Sequence, residues 1–272
     1  MTQPLERMLD LGSGRPVLEI QEAGSGPPLF FLHGAGGVSW DGALGLLAQH
    51  FRVYAPSLPG FGRSASQGLE LIEDALELWQ LGFDVMEALG LDKPLVVGES
   101  FGGWIAAEMA ALRPKEVGKL AVLAPVGIWR DEAPVTDLFG LTIGELLPFL
   151  FHDMKSPAAR AMSQLTTLMS DKDDRTQAQI DQLIGIFLGF RTAAKFLFPV
   201  PDTGLERRLW RIRVPTLVLW GAQDRLIAPS YAEIFAKRVK NAQVVTIERC
   251  GHLIMAEQPE ACAKEIRRFA GL

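Results

Sequence analysis

The chain has 272 residues, 48% of them hydrophobic and 22% charged, with a formal net charge of −5. That is globular composition with enough apolar material for a large core; the mild acidity gives no basic footprint for nucleic acid, and Cys250 and Cys262 alone make neither a disulfide framework nor a Cys-x-x-Cys metal site. No apolar signal core follows the basic residue of Met1-Thr2-Gln3-Pro4-Leu5-Glu6-Arg7, and the longest apolar stretch, Leu138 to Phe151, is interrupted by Gly140, Glu145 and Pro148 and falls short of the ~20 residues of a membrane span, so a cytoplasmic protein with no membrane partner is expected.

In chain order, Val17 to Glu22 reads as a first strand, closed by the turn Ala23-Gly24-Ser25-Gly26-Pro27-Pro28. Leu29-Phe30-Phe31-Leu32 is continuously apolar, the pattern of a strand buried on both faces, and runs into His33-Gly34-Ala35-Gly36-Gly37. Arg52 to Ala55 is a short strand, followed by the irregular Pro56-Ser57-Leu58-Pro59-Gly60-Phe61-Gly62-Arg63-Ser64. From Leu69 to Leu89 the residues Ile72, Leu76, Trp79, Phe83, Met86 and Leu89 recur at helical spacing, with Gly90 placed to end the helix.

Leu95-Val96-Val97 is a strand, and a helix from Ser100 to Leu112 stops before Pro114. Between them lies Gly98-Glu99-Ser100-Phe101-Gly102, a Gly-x-Ser-x-Gly turn of the nucleophile-elbow type. Such a turn is sharp, and residues without Cβ on either side let neighbouring backbone pass close while the serine hydroxyl stands clear. Lys119 to Leu123 is the next strand. From Gly127 to Pro201 there is no strand candidate, only helix-like segments separated by Pro134, Pro148 and Pro157, with the charged run Asp171-Lys172-Asp173-Asp174-Arg175 as a solvated turn. Strands resume at Thr216 to Trp220, a helix is expected from Ser230 to Val239, a strand from Gln243 to Ile247, and a last helix from Pro259 to Arg267-Arg268, acidic at its start and basic at its end. Strands alternating with helices imply a mostly parallel sheet. The expected organisation is a core of residues 1–126 and 202–272 with a helical cap at 127–201.

A serine nucleophile needs a base, usually an oriented histidine. Of the four histidines, His50 lies near a helix end and His152 in the inserted segment, whereas His33 and His252 follow strands that bring them toward Ser100. Asp224, just past the strand ending at Trp220, is the candidate orienting acid; the strand ending near Ala124 offers no carboxylate before Asp131. Ser100, Asp224 and His252, each after its own strand, follow the chain order in which this constellation occurs on α/β-hydrolase sheets. The oxyanion donors expected are the backbone N–H groups of Phe101, next to the nucleophile, and of Ala35, with Gly36 second. A phosphate-binding turn is the other use of such glycines, but neither Gly-x-x-x-x-Gly-Lys-Ser/Thr nor Gly-x-Gly-x-x-Gly is present there.

Leu32-His33-Gly34-Ala35-Gly36-Gly37, Leu58-Pro59-Gly60-Phe61-Gly62-Arg63-Ser64, Gly98-Glu99-Ser100-Phe101-Gly102-Gly103, Gly221-Ala222-Gln223-Asp224 and Gly251-His252 together resemble a capped α/β-hydrolase of the lipase/esterase-like kind. The resemblance runs from Val17 to the end. It implies an α/β fold with a mostly parallel eight-stranded sheet flanked by helices, a helical cap after the sixth strand, and no metal or organic cofactor. One departure is Ser57, where many relatives carry Asp before the Pro-Gly-x-Gly loop. Dehalogenases and epoxide hydrolases place Asp at the nucleophile position, so Ser100 argues against both.

The function expected is a serine carboxylesterase acting on small to medium, fairly apolar esters, as a monomer or homodimer. Gly34, Leu253, Ile254, Phe139 and Leu147 are the substrate-binding candidates. The first alternative is a C–C bond hydrolase acting on a ring-fission product with the same three residues, in which Arg160 or Arg191 of the cap holds a substrate carboxylate. The second is a ligand-binding receptor with a slow triad.

Overall fold

The computed structural model describes residues 3–12, 14–64, 68–169, 175–200 and 202–272. The four apolar runs of the sequence become the interior of one sheet: β3 (Pro28–Leu32), β5 (Leu95–Glu99), β6 (Lys119–Leu123) and β7 (Thr216–Gly221) are buried along nearly their whole length. Strands covered on both faces gain from burying every side chain, so they show no polar alternation. On one side of this centre lie β4 (Arg52–Pro56), β2 (Val17–Ala23) and β1 (Leu5–Asp10), and on the other β8 (Ala242–Ile247). The strand order is β1-β2-β4-β3-β5-β6-β7-β8; β2 is antiparallel to both its neighbours and every other pairing is parallel. The expected eight-stranded, mostly parallel α/β architecture is the one observed.

β1 is an edge strand that the apolar pattern did not announce. Its sequence, Leu-Glu-Arg-Met-Leu-Asp, carries three charges, only Leu9 is fully buried, and β2 alone pairs with it. The helices are α1 (Ala43–Leu47), α2 (Ala75–Ala88), α3 (Phe101–Leu112), α4 (Ile143–Leu150), α5 (Pro157–Leu168), α6 (Gln177–Leu197), α7 (Ala232–Arg238), α8 (Ile254–Glu257) and α9 (Pro259–Ala270). The helix expected from Leu69 starts six residues later. Asp74 takes the N-cap, accepting the Glu77 N–H at 2.9 Å, while Leu69–Leu71 forms a separate 3-10 turn. Leu76, counted on the apolar face, is 44% exposed, and Leu78, Leu81 and Val85 are buried instead. Similarly, α7 begins at Ala232 behind a 3-10 turn at Pro229–Tyr231.

Between β6 and β7 no described residue is in a strand, and α4, α5 and α6 fill the interval. Pro148 lies inside α4 and separates nothing: a capping box of Thr142 and Glu145 starts the helix, and buried Leu146, Leu147 and Leu150 hold it despite the N–H that Pro148 lacks. Thr176 and Gln179 form a second capping box at α6, and Ser156 caps α5 by accepting the Ala159 N–H alone. Of the charged run Asp171–Arg175, the first four residues lie outside the described ones, as does Pro201 at the expected edge of the cap.

Candidate active site

Ser100 stands between β5 and α3 with φ of 53°, the strained conformation that an elbow imposes on a non-glycine residue. The glycines around it are dictated by contact. A Cβ on Gly98 would lie 2.3 Å from the Gly102 carbonyl oxygen, and one on Gly102 would lie 2.1 Å from that of Leu32. Strand, turn and helix therefore close on each other only with hydrogen at these positions.

The ends of β5, β7 and β8 bring three side chains into one line. His252 Nε2 is 2.9 Å from Ser100 Oγ, and His252 Nδ1 is 2.8 Å from Asp224 Oδ2. The other carboxylate oxygen, Oδ1, accepts the N–H groups of Leu226 and Ile227, each at 2.9 Å. His252 and Asp224 are both buried. Burial opposes the charged imidazolium, but the Asp224 charge and hydrogen bond, with a further contribution from Glu99, outweigh it and raise the His252 pKa above its ordinary 6.5. A hydroxyl, an imidazole and a fixed carboxylate in this order can pass a proton from the serine to the ring and keep the resulting cation in place.

The other candidate base is otherwise engaged. His33 Nε2 accepts the Leu58 N–H at 3.1 Å, so its Nδ1 carries the proton and donates to the Gly34 carbonyl at 2.7 Å. Complete burial lowers its pKa to about 4, and the ring stays neutral. His33 thus ties the glycine loop after β3 to the loop after β4. Ser57, in that second loop, donates to Glu19 Oε2 at 2.9 Å, and Arg63 N–H reaches the same oxygen at 3.1 Å. With a carboxylate already supplied by β2, a serine is the complementary partner here.

A narrow, partly enclosed cavity with room for about one water molecule lies beside Ser100. Its wall includes Ala35, Phe101, Val126, Leu138, Leu226 and Ile227. Phe101 is the first residue of α3, so its N–H has no partner inside the helix. Gly36 does not reach the wall, and Gly34 packs against the elbow, where a Cβ would lie 3.5 Å from Ser100 Cβ. The other expected substrate contacts are not on the wall either. Ile254 and Leu147 are buried in the core, Leu253 is half-buried, and Phe139 meets Phe190 and Phe198 edge-on. Arg160 and Arg191 are exposed, and neither lines the cavity.

Two acidic residues near the site were not singled out by the sequence. Glu99, whose pKa is raised by burial, sits within the elbow and accepts the Met255 N–H at 3.2 Å. Glu257 accepts N–H groups flanking the histidine loop. The first lies inside the Gly-x-Ser-x-Gly turn at a position the motif leaves free, and the second has no local signature. Among the described residues no group of His, Cys, Asp and Glu has the arrangement to hold a metal ion, and no helix is long and apolar enough to cross a membrane.

The sequence profile of the alpha/beta hydrolase family matches residues 29–265. The chain is 27% identical to 2-hydroxymuconate semialdehyde hydrolase of Pseudomonas putida, over 94% of this chain and 93% of that one. It is 28% identical to monoacylglycerol lipase ABHD6 of Mus musculus, over 90% of this chain and 76% of that one. Its structure is similar to a meta-cleavage product hydrolase from Pseudomonas fluorescens IP01, with a TM-score of 0.75 at 22% identity, covering 99% and 98% of the two chains. The chain belongs to the alpha/beta hydrolase family.

Proposed function

We propose that this hydrolase is a serine carboxylesterase acting on small to medium, fairly apolar carboxylic esters through an acyl-enzyme on Ser100. The observation that carries the reading is the cavity wall: apart from Ser100 it is built of apolar side chains, with no charged group facing the hydroxyl. In this mechanism His252 takes the Ser100 proton as Oγ attacks the ester carbonyl, and Asp224 holds the ring in the Nδ1–H tautomer. The tetrahedral oxyanion is held by the N–H groups of Ala35 and Phe101. The alcohol leaves with the proton from His252, and water then hydrolyses the acyl-enzyme by the same route. Because the cavity holds only about one water, the ester enters when the inserted helices part from the sheet.

The second reading, a C–C bond hydrolase acting on a ring-fission product, is supported by the likeness to 2-hydroxymuconate semialdehyde hydrolase. A muconate carries a carboxylate, and a site for it needs a cation or several donors. Arg160 and Arg191 are off the wall, which favours the ester reading.

Hydrolysis of p-nitrophenyl esters of increasing acyl length, by wild type and by Ser100→Ala, tests the proposal. Turnover of acetate or butyrate that vanishes in Ser100→Ala supports it. A folded wild type that reacts once with a fluorophosphonate but turns over no ester overturns it, in favour of a C–C substrate or a receptor with a slow triad.

A further inference from the structure

We propose that Glu257 is a positioning residue: its carboxylate clasps the segment after α4 to the loop bearing His252, and so holds the imidazole against Ser100. The inference rests on the serine–histidine reading above. Oε2 of Glu257 accepts the Gly251 N–H at 2.6 Å and the His152 N–H at 3.1 Å, and Oε1 accepts the Asp153 N–H at 2.6 Å. One side chain thereby satisfies three backbone donors from two segments about a hundred residues apart in sequence.

The two segments also meet directly. The Leu150 carbonyl, at the end of α4, accepts the N–H groups of both His252 and Leu253, at 2.8 and 3.2 Å. Gly251 leaves no slack between them, since a Cβ there would lie 2.5 Å from Leu150 O and 2.9 Å from His152 N. The backbone of His252 is thus fixed through Gly251 by Glu257 and through its own N–H by α4. On its core side, Glu99 holds the Met255 N–H.

The chemistry calls for a carboxylate. Its two oxygens offer about four lone-pair sites and carry the charge that strengthens each bond. An amide offers one acceptor oxygen and turns an NH2 group against a backbone N–H. Loss of the clasp frees the histidine loop and the end of α4 together, and the 2.9 Å approach of His252 to Ser100 is what that freedom removes.

The test uses the rate of Ser100 labelling by a fluorophosphonate, which reads the serine–histidine pair whatever the natural substrate. Glu257→Gln is expected to slow labelling by about tenfold to a hundredfold, with Glu257→Asp between it and wild type. Amide hydrogen exchange is expected to accelerate at His152, Asp153 and Gly251 together, with the thermal transition still cooperative. Unchanged labelling in folded Glu257→Gln, even with a lowered Tm, overturns the proposal, because a merely structural clasp leaves the reacting pair intact. Exchange that rises at His152 and Asp153 but not at Gly251 overturns it as well. A wild type inert to the reagent overturns the serine reading itself, and this inference with it.

Discussion

Asp224 divides its two oxygens between roles: Oδ2 faces His252 Nδ1 at 2.8 Å, and Oδ1 is locked by the N–H groups of Leu226 and Ile227. The backbone pair fixes the carboxylate plane, so the side chain accepts the ring N–H without a search over rotamers. Asp224→Asn keeps the shape and turns an amide NH2 toward Nδ1, which forces the opposite tautomer and leaves no base beside Ser100. A loss of about 10⁴-fold in kcat is expected, with KM and Tm nearly unchanged. A loss under about tenfold would place the acid elsewhere.

The pH profile follows from the same group. Burial alone would depress the imidazolium, but Asp224, and after it Glu99, hold the His252 pKa above 6.5. Attack by Ser100 requires the neutral ring, so kcat/KM rises with pH along a limb centred above 6.5. Glu99→Gln removes one of the negative charges that raise this pKa and leaves burial unopposed by it. The limb is expected to move to lower pH, so activity is retained further into the acid range. A limb that moves upward in Glu99→Gln would contradict this electrostatic account.

The central sheet was legible because its chemistry is redundant along the chain. Leu29–Leu32 signals burial on two faces, and Leu95–Val97, Lys119–Leu123 and Thr216–Trp220 each read as strands, without reference to any other segment. Ser100, Asp224 and His252 were legible for a related reason: strand ends in a parallel sheet share one edge, so position after a strand predicts convergence. The remainder turns on polar local signals or on packing, which the apolar spacing does not carry. β1 carries three charges and is held by its pairing with β2, the start of α2 is set by the Asp74 cap and not by the apolar spacing, and the pocket wall depends on how Val135, Leu138 and the end of α6 lie over the sheet. Leu253, Ile254, Phe139 and Leu147 are close in sequence to the site or the cap, but their side chains are spent on packing.

Behind the elbow, Glu108 is completely buried on α3 and receives Arg208 in a two-pronged pair, Nε to Oε2 at 2.7 Å and Nη2 to Oε1 at 2.5 Å. Arg208 also donates to the Thr203 carbonyl, fastening the chain where it returns from the inserted helices to the sheet. Glu108 is the buried member, and removing the arginine strands its carboxylate, whereas Arg208 is part-exposed. Arg208→Met leaves an uncompensated carboxylate in the interior and is expected to lower stability by about 3–5 kcal/mol. Replacing both residues with apolar ones of similar volume is expected to recover much of that loss. Urea denaturation of the two single variants and the double variant measures it, and additive single losses would show that the pair is not coupled.

The serine at position 57 makes the same point in the other half of the fold. Ser57 and Glu19 are 2% and 3% exposed, and the hydroxyl donates to the carboxylate oxygen that also takes the Arg63 N–H. Ser57→Asp sets a second carboxylate against the first, where the pair cannot both ionise cheaply, and one acid acquires a pKa above its unfolded value. The resulting destabilisation is present in full above that folded pKa. It fades as pH falls through it toward the unfolded value, because the proton taken up in the folded state relieves the repulsion. Ser57→Asp is therefore expected to be less stable than wild type at pH 7 by about 1–3 kcal/mol, with the gap narrowing on acidification. Glu19→Gln added to Ser57→Asp restores a donor–acceptor pair and should recover most of the loss at pH 7. Melting temperatures of the three variants at pH 5 and pH 7 decide it: a gap that is independent of pH and of Glu19 would mean that size, and not charge, selects serine here.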